Sequence, residues 1–403
     1  MRPKLRPLET NWVQHNGRMA LLLRDRLGLT ENAVIVPATL ALLLSLCDGT
    51  RDENALRVSF ELRSGMRIDA LLLRQLLRQL DEALLLEGPR VEAAREAALR
   101  EYREAPFRSP ALAGQSYPSD PVDLTRFLEG FSSSPNDDPA PGAVAEVRGL
   151  ISPHIDFQRG GHVYSKVWRR AADTVAKAEV VVIFGTDHLG GPLINPTRQH
   201  YATPWGILPT ATRAIDALIA ALGDGKDRPE ELHHKNEHSI ESALVWLHHI
   251  LGGRSVEIVP ILCGSFQPFT EGEADPAQSQ ELAVAVDVLR EVIAGRRHLV
   301  VAAADLAHVG PAFGDPASLG TADKALLSTQ DTELLTAACS GDAETFFAPL
   351  RAERDRRRIC GLPPIYLAMR LLGPGKGEVV DYAQCPADAD GGSIVSIAGV
   401  LFY

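Results

Sequence analysis

Three apolar runs beyond residue 145 end in residues able to bind a cation or move a proton. Residues 147–151 lead into Ser152-Pro153-His154-Ile155-Asp156, 180–184 into Gly185-Thr186-Asp187-His188, and 299–303 into Ala304-Asp305-Leu306-Ala307-His308. Each run is mostly apolar on both faces and is soon followed by turn or polar residues, the pattern of a strand buried in a parallel sheet. Ligands of open α/β sheets sit beyond the carboxyl ends of their strands, so His154, His188, Asp305 and His308 are expected at one edge. A single histidine after a strand reads as a surface or capping residue; three such strand ends are hard to explain by packing. Imidazole, carboxylate and thiolate hold Zn, Fe or Cu, and gathering them in a dry cleft calls for a cation or a hydrogen-bond network. A metal centre is the economical expectation, and a metal-free proton relay is the alternative.

A second cluster, His233-His234-Lys235-Asn236-Glu237-His238-Ser239-Ile240-Glu241, opens a helix. Glu237, His238 and Glu241 surround its amino terminus, where backbone N–H groups favour a carboxylate or an anion. Glu237 and Glu241 are therefore expected to complement the helix dipole. His233 and His234 read as solvent-exposed loop residues, and His248 and His249 as surface or rim residues.

Helical patterns over 163–176, 210–222, 240–251 and 282–293 alternate with strands over 147–151, 180–184, 256–262 and 299–303. This predicts an α/β unit with a mainly parallel sheet flanked by helices. Segments 378–382 and 394–402 add strands, antiparallel at an edge, and the Ser/Pro/Asp/Gly-rich stretch 132–142 is a loop. The charged run 351–358 reads as a solvated helix face. In the first hundred residues a β segment ends at Pro37, and a leucine-rich helix runs to Leu46. Asp48-Gly49-Thr50 supplies a turn, and helices follow over 54–62 and from Ile68 to near Gly88. A charged, alanine-rich helix over 91–103 connects to the next unit.

A chain of 403 residues exceeds what one core usually organises, so two domains are expected, 1–100 and 110–403. No apolar run approaches the roughly 20 residues that span a bilayer, and no apolar stretch follows the basic start at signal-peptide spacing. The five cysteines are spread without a CxxC pair, which argues against a disulfide framework and for the cytoplasm. A net charge of −11 disfavours nucleic acid as a partner.

The ordered motifs AGQSYPSDP (113–121), SPHIDF (152–157), FGTDH (184–188), NEHSIE (236–241), AADLAHVG (303–310) and ICGLPP (359–364) resemble the Memo family, the B component of the AmmeMemoRadiSam system. The resemblance spans about 110–403. It implies the fold and non-haem iron pocket of class III extradiol ring-cleavage dioxygenases. Carried over by motif, His154, His188 and Cys360 match the metal-ligand positions. Asp305 and His308 line the same site, His308 at an acid–base position, and His238 lies beside it. The implied cofactor is a divalent ion, Fe(II) first, with Cu or Zn as alternatives. Cys360 stands where the dioxygenases have a carboxylate, and a softer thiolate alters metal preference and redox behaviour. Two departures, Asp156 and Asp187, place extra carboxylates near the pocket as partners of the imidazoles or contacts for substrate. Residues 1–100 resemble PqqD-type winged-helix modules, which bind a leader peptide.

These readings predict a metal-dependent, dioxygenase-like oxidoreductase acting on an unidentified small molecule or peptide, with a radical SAM protein of the same system as partner. The alternatives are a non-catalytic peptide- or protein-binding scaffold and a metal-assisted hydrolase using a Zn-activated water.

Overall fold

Runs of β-branched residues set the centre of the second unit, where Gly149–Ser152, Val180–Thr186, Glu257–Cys263 and His298–Ala303 are strands. The computed structural model describes residues 2–30, 33–132, 146–223 and 228–403, in two units, Met1–Glu104 and Ala105–Tyr403. The four strands pair in parallel in the order Gly149–Ser152, His298–Ala303, Val180–Thr186, Glu257–Cys263. Side-chain alternation divides them between two cores. Val180, Val182 and Phe184 join Leu289, Phe346 and Ile365 in one, while Val181 and Ile183 join Val163, Trp168 and Trp246 in the other. Burial on both faces is why these strands lack polar alternation. The unit is thus mixed α/β, a mainly parallel sheet flanked by helices.

Ile394–Phe402 extends the sheet antiparallel to Gly149–Ser152, and Gly377–Pro386 and His308–Val309 pair antiparallel with it in turn. The antiparallel direction matches the sequence reading, but Ile394–Phe402 is interior and buried at every position. On the other side Asn195–Pro196 pairs antiparallel with Glu257–Cys263.

Other departures have local causes. The helix expected over 163–176 is two, Phe157–Arg170 and Ala172–Lys177. The first begins early because the Asp156 carboxylate accepts from Arg159 N at 3.1 Å and caps it. Residues 351–358 are not a helix face. The helix Ala343–Ala352 stops, and Arg354, Asp355 and Arg358 take φ values of 53°, 47° and 55°. Arg357 turns inward to pair with buried Asp331 at 2.6 Å and with Glu353 at 2.8 Å. The loop expected over 132–142 lies, from 133 onward, outside the described residues.

The first unit holds an antiparallel sheet of Glu9–His15, Arg18–Arg24 and Val34–Pro37. Helices Ala38–Leu46, Glu53–Ser64, Ala70–Glu82 and Pro89–Glu104 follow. The first two strands escaped the sequence reading because Trp12 and Met19 remain 56% and 49% exposed, which blurs the alternation. Their signal was Asn16-Gly17, both at positive φ (50° and 73°) in the hairpin turn. No described helix is long and apolar enough to cross a membrane.

Candidate metal centre

The strand order carries the site. His298–Ala303 lies between Gly149–Ser152 and Val180–Thr186, so the loops bearing His154, Asp305 and His188 leave three adjacent strands at one edge. Buried Asp305 fixes the first loop by accepting from His154 N at 2.8 Å and Ile155 N at 3.2 Å. Its other oxygen stands 3.7 Å from His154 Nε2. Tyr164 donates to Ile155 O at 2.8 Å from the helix below.

His238 arrives from the opposite direction, as the first residue of the helix His238–Ile250. Gly185 lets that helix end approach the sheet, for a Cβ there would lie 2.6 Å from Ser239 Oγ and from Ile240 Cγ1. Ser239 Oγ donates to Thr186 O at 3.1 Å and pins the contact. Among the described residues, His154, His188 and His238 form the one His/Cys/Asp/Glu group whose ligand atoms all lie within 4.8 Å of one another. The His188 and His238 rings stack at 4.8 Å and 19°, and His154 meets both nearly edge-on.

Hydrogen bonding orients all three rings. His154 Nδ1 pairs with Ala303 O at 3.0 Å, and His188 Nδ1 and His238 Nδ1 pair with the Glu237 carboxylate at 3.0 and 3.1 Å. Each Nδ1–H is thereby a donor to oxygen, so each ring when neutral keeps its Nε2 lone pair for a cation; at His238 burial is outweighed by the Glu237 carboxylate, which raises its pKa. Burial, then the neighbouring His188 and His238, pushes the His154 pKa far below its usual value, so this ring is neutral near pH 7. Burial alone would raise the Glu237 carboxyl, but the charge and hydrogen bonds of His188 and His238 prevail and hold it well below the carboxylate range.

Cys360 stands just before the helix Leu362–Leu372, with Sγ 3.2 Å from His154 Nε2. Its position is set by Thr186 Oγ1, which donates to Cys360 O at 2.9 Å, and by Gly361 N, which donates to Asp305 O at 3.0 Å. Burial, then the Asp305 charge, pushes the Cys360 thiol well up, so without a cation it is protonated. His308 is half-buried and its Nδ1 donates to Leu306 O at 3.1 Å, leaving Nε2 to exchange a proton; burial lowers its pKa. A cleft of about 490 Å³ is lined by His154, His188, His238, Asp305 and His308. Cys360 and His188 line a neighbouring cleft of about 440 Å³.

Other expectations are corrected. His234 is fully buried, accepting from Tyr201 Oη at 2.7 Å and donating to Asn195 O at 2.8 Å. His248 is buried against Thr203 Oγ1 at 2.7 Å, and His233 pairs with buried Asp187 at 2.8 Å. All three occupy structural positions that adjacent polar residues in the sequence disguised as surface. Asp187 thus orients His233; Asp156 lines the larger cleft but is spent on its helix cap and on Arg159. Glu241 does more than complement a dipole. It accepts from Ala111 N and Leu112 N at 2.8 Å, from Tyr117 Oη at 2.5 Å and from buried Arg108, closing the 108–117 segment over the site. Glu237 was read as a dipole partner, and its position immediately before His238 in NEHSIE was the signal for its larger role.

A Memo-like protein family model matches residues 108–401. The chain belongs to the Memo family. A MEMO1 family protein of Aquifex aeolicus is 27% identical over the full length of both chains. One from Thermus thermophilus is 31% identical over 79% of this chain and 89% of its own length. A Methanopyrus kandleri relative is 27% identical over 73% of this chain and 98% of its own. The match to the Memo model takes in each residue of the clustered site, from Glu241's partner Arg108 to Cys360.

Proposed function

We propose that the chain is a metal-dependent oxidoreductase of dioxygenase-like type, with a divalent ion, Fe(II) first, between the three imidazoles and Cys360. The observation that carries this reading is the set of three rings tied back through Nδ1, with ligand atoms within 4.8 Å of one another and a thiol 3.2 Å from one of them. Imidazole nitrogens and one sulfur fit Fe, Cu or Zn and suit Mg or Ca poorly. His154 and His188 hold the ion in common with the family pattern; Cys360 is the thiolate donor and His238 the further imidazole. A bound redox-active ion would supply Lewis acidity and electron exchange with dioxygen. His308 Nε2 takes a proton from a substrate in the 490 Å³ cleft, and Asp305 holds the His154 loop and adds negative charge beside it. The extradiol-type architecture is part of the same reading, supported by the strand-end placement of the histidines.

Metal analysis of protein purified anaerobically without added metal, followed by oxygen uptake with phenolic and peptide substrates, tests it. Stoichiometric iron and substrate-dependent uptake are expected; lasting absence of a redox-active metal would sink it. Zinc with ester, amide or phosphate hydrolysis would favour the hydrolase instead.

A second reading concerns residues 1–100 as a winged-helix-like, peptide-binding module, with a radical SAM protein of the same system as partner. Its support is an apolar groove of about 310 Å³ lined by Val34, Val36, Leu40, Leu76 and Leu80 beside the Val34–Pro37 strand. A pulldown comparing the whole chain with one beginning at Ala105 separates the two. Loss of partners on truncation supports the module; retention refutes it.

A further inference from the structure

We infer that Glu237 is the residue that sets the tautomers of two imidazoles at once, making it the positioning residue of the proposed metal centre, on which reading the inference rests. Its side chain is 4% exposed. One oxygen, Oε1, lies 3.0 Å from His188 Nδ1, 3.1 Å from His238 Nδ1, 2.8 Å from His238 N and 3.0 Å from Ser239 N. The other, Oε2, lies 3.1 Å from both His188 Nδ1 and His188 N. Every partner is a nitrogen able to donate, and a carboxylate has two oxygens that only accept. Both rings must therefore carry a proton on Nδ1, and each ring when neutral turns an unprotonated Nε2 away from the carboxylate. His154 reaches the same state independently, through Ala303 O.

The carboxylate also couples two elements. It caps the helix His238–Ile250 and at the same time grips the backbone of the loop after Val180–Thr186. Stacking of His188 on His238 at 4.8 Å follows from sharing one anchor. A glutamine at this position has the same length but only one accepting atom. Whichever way the amide lies, its NH2 faces the backbone N–H of one of the two histidines. With the NH2 at the Oε1 position His238 Nδ1 loses its acceptor, and with it at Oε2 His188 Nδ1 keeps the oxygen at 3.0 Å but also faces the NH2 at 3.1 Å; a ring whose Nδ1 faces a donor favours the proton on Nε2, where it blocks a ligand.

Nitrogen-15 histidine NMR on the metal-free, full-length chain reads the tautomers directly, and titration with Fe(II) or Zn(II) reads affinity. At a pH where both rings are neutral, wild type is expected to show protonated Nδ1 and bare Nε2 at both His188 and His238. Glu237→Gln should shift one ring toward Nε2–H and weaken metal binding about 10–100-fold with circular dichroism unchanged. Glu237→Asp retains two acceptors and should restore the wild-type tautomers even if its shorter reach weakens binding. A neutral wild-type ring with its proton on Nε2 and a bare Nδ1, or Glu237→Gln with both tautomers and affinity unchanged, overturns the assignment. The wild-type tautomers stand as a test whether or not the glutamine variant folds. If wild type binds no metal yet the tautomers respond to Glu237→Gln, the metal reading fails while the role of Glu237 stands.

Discussion

At the scale of single residues, the site depends on close approaches that leave no room for substitution. Gly361 shows this best. A Cβ there would lie 2.4 Å from Asp305 O and 2.5 Å from Ala304 Cβ, so Gly361→Ala must push the Cys360 turn away from the Asp305 loop. The expected cost is about 1–3 kcal/mol, the range for forced repacking. Urea denaturation should show it as a lower midpoint, and Cys360 should react faster with a thiol reagent. The proposed donors separate by the same logic. His154→Ala and His188→Ala should abolish stoichiometric metal, because a centre losing a protein donor loses its geometry. His308→Ala should keep the metal and lose proton-dependent turnover. Retention of full occupancy in Cys360→Ala, with loss in Asp305→Ala, would move the non-imidazole donor from the thiol to the carboxylate.

At the scale of elements, the helix His238–Ile250 organises the site from its first turn. Glu237 and Glu241 are one turn apart and face different partners: the first holds two imidazoles, the second gathers the 108–117 segment. Arg108 is almost entirely buried, with Nε donating to His234 O at 2.9 Å and Nη2 to Glu237 O at 2.8 Å. Glu241→Ala would leave this guanidinium buried without its carboxylate, which costs about 3–5 kcal/mol. Equilibrium unfolding should register that loss, and Leu112 and Ser116, which line the larger cleft, should become accessible to proteolysis. An unchanged midpoint would mean that Arg108 finds another acceptor.

At the scale of the whole molecule, acid should unfold the chain through its buried neutral histidines. Burial lowers the His234 pKa from 6.5 to about 4, opposed in part by its bond to Asn195 O. The unfolded chain binds that proton at the ordinary value. Stability from neutral His234 is thus fully present above pH 6.5 and lost as pH falls toward 4, by about 3 kcal/mol at most. His154 is displaced in the same direction. Unfolding free energies measured at pH 7 and 4.5 should differ accordingly. His234→Gln, unable to take up the proton, should flatten the dependence in part; an identical slope would refute the assignment.

Much of this architecture is written locally in the chain. Continuous apolar runs such as 180–184 can only be satisfied by burial on both sides, so the parallel sheet and the strand-end His154, His188 and Asp305 were legible from periodicity. Likewise, the ordered motifs were enough to identify the Memo family. Tertiary structure alone decided how those ends combine. Sheet order put the Asp305 strand between the two histidine strands, and the fold drove the helix end bearing Glu237 and His238 against Gly185. Burial of His234 and His248 was equally invisible, since their acceptors and donors, Asn195 and Thr203, lie far away in sequence. The run 351–358 misled for the same reason: its inward turn depends on Asp331, which a local charge pattern does not contain. Periodicity reports the environment averaged along an element, whereas a hydrogen bond between distant loops depends on the path of the whole chain.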